Sequence, residues 1–136
     1  MNKFLILAAA AGLSACACCT GDLPETINGD KVYFGFDSAV ISQDAKDNLL
    51  VQSMWMKKNP DVNVIIEGHC DERGSTEYNL ALGALRAGNA AHVIIKDGIE
   101  PERIKTISYG KDKPQYKGTG EKVWALNRNA TTVVAE

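Results

Sequence analysis

From Lys31 onward the chain alternates short apolar runs with longer stretches whose apolar residues recur at helical spacing. The first run, Val32-Tyr33-Phe34-Gly35-Phe36, is aromatic and β-branched and predicts a strand ended by Asp37 and Ser38. Ser42 then stands as a helix N-cap with Asp44 in the first turn, and Ile41, Ala45, Leu49 and Met56 fall near one helical face. That helix must stop at Asn59-Pro60, since proline has no amide donor and clashes with the preceding turn. Val62, Val64 and Ile66 alternate as the side chains of a second strand do. A second helix is predicted from Thr76 to Asp97, with Gly98 as its left-handed cap. Along it, Ala81, Ala84, Gly88, Ala91 and Ile95 form a small-residue ridge suited to close approach to a sheet. Ile104, Ile107 and Tyr109 predict a third strand and Thr131 to Val134 a fourth, with a turn or short helix around Val123 to Leu126 between them. The order β-α-β-α-β-β implies an α/β (α+β) sandwich, a mixed sheet of about four strands covered on one face by two main helices.

The residues before Lys31 lack this alternation. Lys3 precedes an unbroken apolar and small-residue run, Phe4 to Leu13, too short to span a bilayer as a mature helix, so residues 1–15 are expected to be a signal peptide. Leu13-Ser14-Ala15-Cys16 resembles the bacterial lipobox, which implies cleavage before Cys16, its lipidation with three acyl chains, palmitate among them, and, with Ala17 next, delivery to the outer membrane. An ordinary secretory cleavage site is the alternative. Each buried CH₂ is worth roughly 0.8 kcal/mol and one acyl chain holds a membrane only marginally, so a triacylated Cys16 is a stable anchor. Ala17 to Asp30 contain Gly21, Pro24, Asn28 and Gly29 and show no period, which predicts a tether with an r.m.s. span of roughly 20 Å. The folded domain is then expected over residues 31–136. Cys18 and Cys19 lie in the tether and Cys70 far beyond it; no paired spacing recurs, so no disulfide framework is expected, while a second acylation or an intermolecular bridge at Cys18 or Cys19 stays open.

Composition narrows the function class. A chain of 136 residues leaves room for one domain, and 45% hydrophobic with 24% charged residues is ordinary for a globular fold, which excludes disordered and multi-span membrane classes. A formal net charge of −2 lacks the basic excess of a nucleic-acid binder, despite the lysines between Lys105 and Lys122.

Ionisable side chains concentrate between the second strand and second helix, in Glu67-Gly68-His69-Cys70-Asp71-Glu72-Arg73-Gly74, where loop residues are exposed at a sheet end. Asn79, Leu82 and Arg86, at i, i+3 and i+7, share one helical stripe, and helical side chains lean toward the amino terminus, so Arg86 can reach back to that loop. Asp71 and Arg86 then form either a ligand site or a surface salt bridge; as an exposed pair they would contribute at most about 1 kcal/mol to folding. A zinc-dependent hydrolase built on Glu67, His69, Cys70 and Asp71 is a further reading. Against it, His69 and His92 are the only histidines, and neither an HExxH pair, a CxxC cluster nor a nucleophile beside a base is present. His69 is more simply a hydrogen-bonding loop residue, and no metal or other cofactor is expected.

Gly68-His69-Cys70-Asp71-Glu72-Arg73-Gly74, Tyr78-Asn79-Leu80-Ala81-Leu82 and Arg86-Ala87, together with Phe34-Gly35-Phe36-Asp37-Ser38, Ile107-Ser108-Tyr109-Gly110-Lys111 and Asn127-Arg128, resemble the OmpA-like peptidoglycan-binding domain. The resemblance spans residues 31 to 134 and is strongest to the lipid-anchored Pal branch of that superfamily. It implies a non-enzymatic protein that binds the diaminopimelate-containing stem peptide of peptidoglycan and ties the outer membrane to the wall. It further implies a role in a Tol-Pal system, with a TolB-like periplasmic partner on an overlapping surface; a scaffold for such a partner is the other reading. By the same resemblance Asp71 and Arg86 hold the zwitterionic end of diaminopimelate, an assignment that suits a carboxylate and a bidentate guanidinium. Phe36, Asp37 and Ser38 would line the pocket, partly through backbone amides, and Asn79 and Leu82 would touch the ligand or hold the loop. Arg128 would contact ligand or form a structural ion pair, and Gly68, Gly74 and Gly110 would serve backbone geometry.

Overall fold

The computed structural model describes residues 29–135. Its elements run β1 (Lys31–Tyr33), α1 (Gln43–Lys58), β2 (Val64–His69), α2 (Thr76–Lys96), a single 3₁₀ turn (Pro101–Arg103), β3 (Ile104–Gly110), α3 (Glu121–Asn127) and β4 (Asn129–Val134). Local chemistry sets the helix ends. The Ser42 hydroxyl accepts the Ala45 amide and the Ser75 hydroxyl accepts the Tyr78 amide, each satisfying an orphan donor of the first turn. Gly98, at φ 110, lets the chain turn out of α2. The short helix expected near Val123 is α3.

The sheet has the order β1-β4-β2-β3, with β4 antiparallel to both neighbours and β2 parallel to β3. Side-chain alternation sends Val32, Val64, Ile66 and Ala130 into a core shared with Leu49 and Met56 of α1 and Ala87, Ala90 and Ile94 of α2. Three polar side chains of α1 are buried with them; Gln52 is satisfied by the Thr132 hydroxyl at 2.6 Å, and Ser53 donates to Asp97 at 2.7 Å. On the other face of β4, Gln115 of the segment between β3 and α3 donates to Thr131 at 3.0 Å.

Three expectations are corrected. The first strand ends at Tyr33 rather than Phe36 because the chain bends away to supply the Gly35 and Ser38 carbonyls to Arg86, and β4 starts earlier, at Asn129. The small-residue ridge turns inward only at its end: Ala91 is buried and Ile95 half-buried, but Ala81, Ala84 and Gly88 are exposed, and the inward face is instead built by Asn79, Leu82, Gly83, Arg86, Ala87, Ala90 and Ile94 with Ala91. Leu82 and Ile94 take more apolar area out of water than alanines can, and they decide which face turns inward. The close approach itself is present but sits at Gly83, where a Cβ on Gly68 would fall 1.8 Å from the Gly83 carbonyl oxygen.

The signal peptide, Cys16, Cys18, Cys19 and most of the tether lie outside the described residues. Among the described residues no helix is long and apolar enough to cross a membrane, and Cys70 is a buried free thiol.

Candidate ligand-binding site

A cavity of about 180 Å³ opens at the carboxyl end of β2, lined by Phe36, Asp37, Cys70, Asp71, Arg73, Gly74, Tyr78, Asn79, Leu82 and Arg86. Three segments meet there: the loop after β1, the β2–α2 loop and the first turns of α2. Glycines shape the second of these. Gly110, at φ 54, is packed so closely on α2 that a Cβ would lie 2.9 Å from the Leu80 amide nitrogen, and its carbonyl accepts the Cys70 amide at 2.8 Å. Gly74 turns the chain into α2 at φ 94, and the Asn79 amide holds that turn by donating to the Arg73 carbonyl at 2.8 Å. On the facing loop Asp37 adopts φ 50, a left-handed conformation unusual for a residue with a Cβ, and its carboxylate accepts the Tyr78 hydroxyl.

Arg86 joins the segments. It is 1% exposed and donates to three main-chain carbonyls, Ser38 at 2.8 Å through Nε, His69 at 2.8 Å through Nη1 and Gly35 at 3.1 Å through Nη2. Among the described residues it pairs with no carboxylate. The surface salt bridge with Asp71 is therefore not formed, because backbone carbonyls take the guanidinium first. The expectation that Arg86 matters little to folding falls with it.

Asp71 is 5% exposed and belongs to Arg73 instead. Its Oδ1 accepts the Arg73 amide at 3.0 Å and Nε at 3.1 Å, its Oδ2 accepts Nη2 at 2.8 Å, and Arg128 Nη1 stands 3.6 Å from Oδ2. Burial alone would raise the Asp71 carboxyl, but the hydrogen bonds and charge of Arg73, with Arg128 beyond, hold it below the ordinary carboxylate range. Arg73 is itself sandwiched between the Phe36 and Trp124 rings, its guanidinium carbon 4.1 Å from each ring centre. The Glu72 carboxylate accepts from Thr119 and from the Trp124 indole at 2.8 Å, which fixes that ring. Burial raises the Cys70 thiol against the lowering influence of Arg86.

The structure thus brings together Phe36, Asp37, Asp71, Asn79, Leu82 and Arg86 in one cavity and leaves Ser38 and Arg128 out of its lining. Ser38 contributes its carbonyl to Arg86, and Arg128 is a buried tie: Nε donates to Phe34 O at 3.0 Å and Nη2 to Glu121 at 2.8 Å. Glu67, His69, Cys70 and Asp71, the four residues of the metal reading, are placed as follows. His69 ends β2 rather than lying in the loop, with Nε2 3.5 Å from Glu67 and 3.4 Å from Gln115, while Cys70 donates to Asn79 O and Asp71 is held by Arg73. Among the described residues no three His, Cys, Asp or Glu side chains converge on a point. Sequence reasoning misses Arg73, Tyr78 and Trp124 as site members. Arg73 and Tyr78 stand inside the family motifs, but Trp124 reaches the site only through the fold.

The match of a family model, described as the OmpA family, covers residues 33–128. The chain is 43% identical over 129 residues to the peptidoglycan-associated lipoprotein of Rhizobium meliloti, spanning 93% of this chain and 73% of that protein. It is 40% identical over 125 residues to the peptidoglycan-associated lipoprotein of Brucella melitensis, spanning 90% and 74%. The crystal structure of the peptidoglycan-associated lipoprotein from Burkholderia pseudomallei superimposes with a TM-score of 0.76 at 35% identity, over 79% of this chain and 92% of that one. The C-terminal domain of Helicobacter pylori MotB shares the fold at a TM-score of 0.73 and 21% identity, over 79% and 84%. By sequence and by fold, this chain belongs to the OmpA family, among the peptidoglycan-associated lipoproteins.

Proposed function

We propose that the protein is an outer-membrane lipoprotein that binds, without covalent chemistry, the diaminopimelate-bearing stem peptide of peptidoglycan and so ties the membrane to the wall. The observation that carries this reading is one small cavity lined by both a carboxylate, Asp71, and a guanidinium, Arg86. A zwitterionic amino-acid end presents the complementary pair, an ammonium and a carboxylate. Arg86 has five N–H groups and spends three on carbonyls, and the Cys70 sulfur also draws on the guanidinium, so the donors left over are the ones that can meet a ligand carboxylate. Residues 1–15 are read as the signal peptide, 16–30 as the lipidated terminus and tether, and 31–136 as the domain, facing the periplasm. Family membership supports a place in a Tol-Pal system.

Titration of the full-length protein with stem peptide carrying diaminopimelate, and with the lysine form that lacks the distal carboxylate, tests the ligand. Selective binding of the first is expected; equal binding or none rejects the reading. The anchor is tested by mass spectrometry of the mature amino terminus, where Cys16→Ser is expected to abolish lipid attachment; an unmodified Cys16 in membrane-bound protein rejects it. A second reading, docking of a TolB-like periplasmic protein over the same mouth, is favoured by the exposed rings of Phe36 and Tyr78 at its rim, since exposed aromatics mark protein interfaces. In that case the partner and the stem peptide compete.

A further inference from the structure

We infer that Arg73 is a built-in competitor for the ligand's ammonium group: it occupies the Asp71 carboxylate in the free protein and sets how strongly an amine-bearing ligand is preferred. The inference rests on the proposed reading of the cavity as a site for a zwitterionic amino-acid end.

A carboxylate offers about four acceptor positions, two on each oxygen. Arg73 fills both on Oδ1, with its amide at 3.0 Å and Nε at 3.1 Å, and one on Oδ2, with Nη2 at 2.8 Å. The position left on Oδ2 lies in the field of Arg128, whose Nη1 is 3.6 Å away. An arriving ammonium therefore meets a carboxylate already shared by two guanidinium groups. Arg73 does not swing aside freely, because Phe36 and Trp124 hold its planar head from both sides at 4.1 Å and Glu72 fixes the Trp124 ring. Phe36 is 63% exposed and lines the cavity, so one jaw of this clamp is also a wall of the site. The carboxylate-binding half differs: Arg86 donates to three carbonyls and, among the described residues, forms an ion pair with no carboxylate. The ligand's acid thus meets a guanidinium with no carboxylate partner, whereas recognition of its amine is held down by an internal cation.

Arg73→Gln keeps a planar amide between the rings and a donor toward Asp71 while deleting the charge. The test measures, by calorimetry on full-length wild type and Arg73→Gln, the affinity for a stem peptide ending in diaminopimelate and for the same peptide ending in 2-aminopimelate, which retains the distal carboxylate and lacks the amine. Arg73→Gln should bind the diaminopimelate peptide roughly 4- to 20-fold tighter, the relief of repulsion between unit charges about 5 Å apart at an effective dielectric constant of about 40 to 80, and the 2-aminopimelate peptide no tighter. Arg73→Lys, which keeps the charge, should retain the wild-type ratio of the two affinities. If Arg73→Gln does not fold, Trp124→Leu removes one jaw of the clamp and should move the ratio in the same direction. An unchanged ratio, or one that falls, overturns the competitor role. Failure of wild type to bind either peptide overturns instead the proposed function beneath it.

Discussion

Replacing Arg86 with alanine removes a cation buried to 1% exposure and leaves the carbonyls of Gly35, Ser38 and His69 without their donors. A hydrogen bond to a charged group contributes about 1.5 to 3 kcal/mol net, so three sum to roughly 4 to 9 kcal/mol. Two effects offset part of that: the guanidinium no longer has to be desolvated, and water entering the vacated polar site satisfies some carbonyls. A net loss of about 3 kcal/mol follows, a large share of the roughly 5 to 15 kcal/mol that holds a typical domain together. For a domain of about 100 residues this lowers Tm by roughly 12 °C, as read by circular dichroism melts. Urea titration should show the midpoint falling with the slope unchanged, because the surface exposed on unfolding is nearly the same. A Tm drop below about 4 °C, the range of an exposed ion pair, would refute the reasoning and return Arg86 to the surface role suggested by its sequence spacing. The same result bears on binding assays, because lost affinity in Arg86→Ala mixes a missing ligand contact with a released loop.

Asp71 is the second probe of recognition, with the melting temperature measured alongside because Arg73 and Arg128 lose the charge of their carboxylate. Asp71→Asn keeps the shape and is expected to weaken stem-peptide binding by roughly 2 to 5 kcal/mol in calorimetry, and wild-type affinity would exclude Asp71 as an ammonium acceptor. Burial lowers the His69 pKa, so between that depressed value and the ordinary imidazole value of about 6.5 the unfolded chain binds more protons than the native one. Stability should therefore rise with pH through that window and level off above it, and a denaturation series in which His69→Gln shows the same slope would exclude His69 as its source. Gly88 sits in α2 with nothing within 4 Å of where a Cβ would stand, so Gly88→Ala should raise Tm through the roughly 0.5 to 1 kcal/mol that glycine costs a helix interior. Gly68→Ala should instead lower it, its Cβ meeting the Gly83 carbonyl oxygen at 1.8 Å; equal melting temperatures for the two variants would contradict the packing described. Finally, the purified protein should release no soluble muropeptides from wall fragments with or without chelator, and metal-dependent release seen by chromatography would revive the hydrolase reading.

Elements whose ends are set by neighbours in sequence are legible. Ser42, Asn59-Pro60 and Gly98 mark the ends of α1 and α2 correctly because capping and proline sterics act within one turn. The stripe Asn79, Leu82, Arg86 is legible for the same reason, and all three side chains are buried. What Arg86 does there is not legible, since two of its carbonyl partners lie about fifty residues upstream in a loop whose path depends on Arg86 itself. The three misplaced members of the ridge, Ala81, Ala84 and Gly88, have a different cause. Small residues signal close packing only weakly, because an exposed alanine is as good a helix former as a buried one, and the true contact needs only Gly83. Asp71's partner is hidden by plain proximity: Arg73 is two residues away in the same loop, whereas helical spacing points to the arginine on the next helix.

The bare contact between Gly68 and Gly83 also makes the cavity respond to positions that never touch its contents. One half of the site, Cys70 and Asp71, rides on the end of β2; the other, Asn79, Leu82 and Arg86, rides on α2, and the two elements meet backbone to backbone just beside it. That contact acts as a fulcrum. A methyl group on Gly68 meets only Gly83 backbone, with no flexible side chain to push away, so it is expected to raise α2 from the sheet and alter the mouth between Asp71 and Arg86. If the cavity binds the proposed ligand, affinity is expected to change with helix height alone, with every residue lining the cavity left in place.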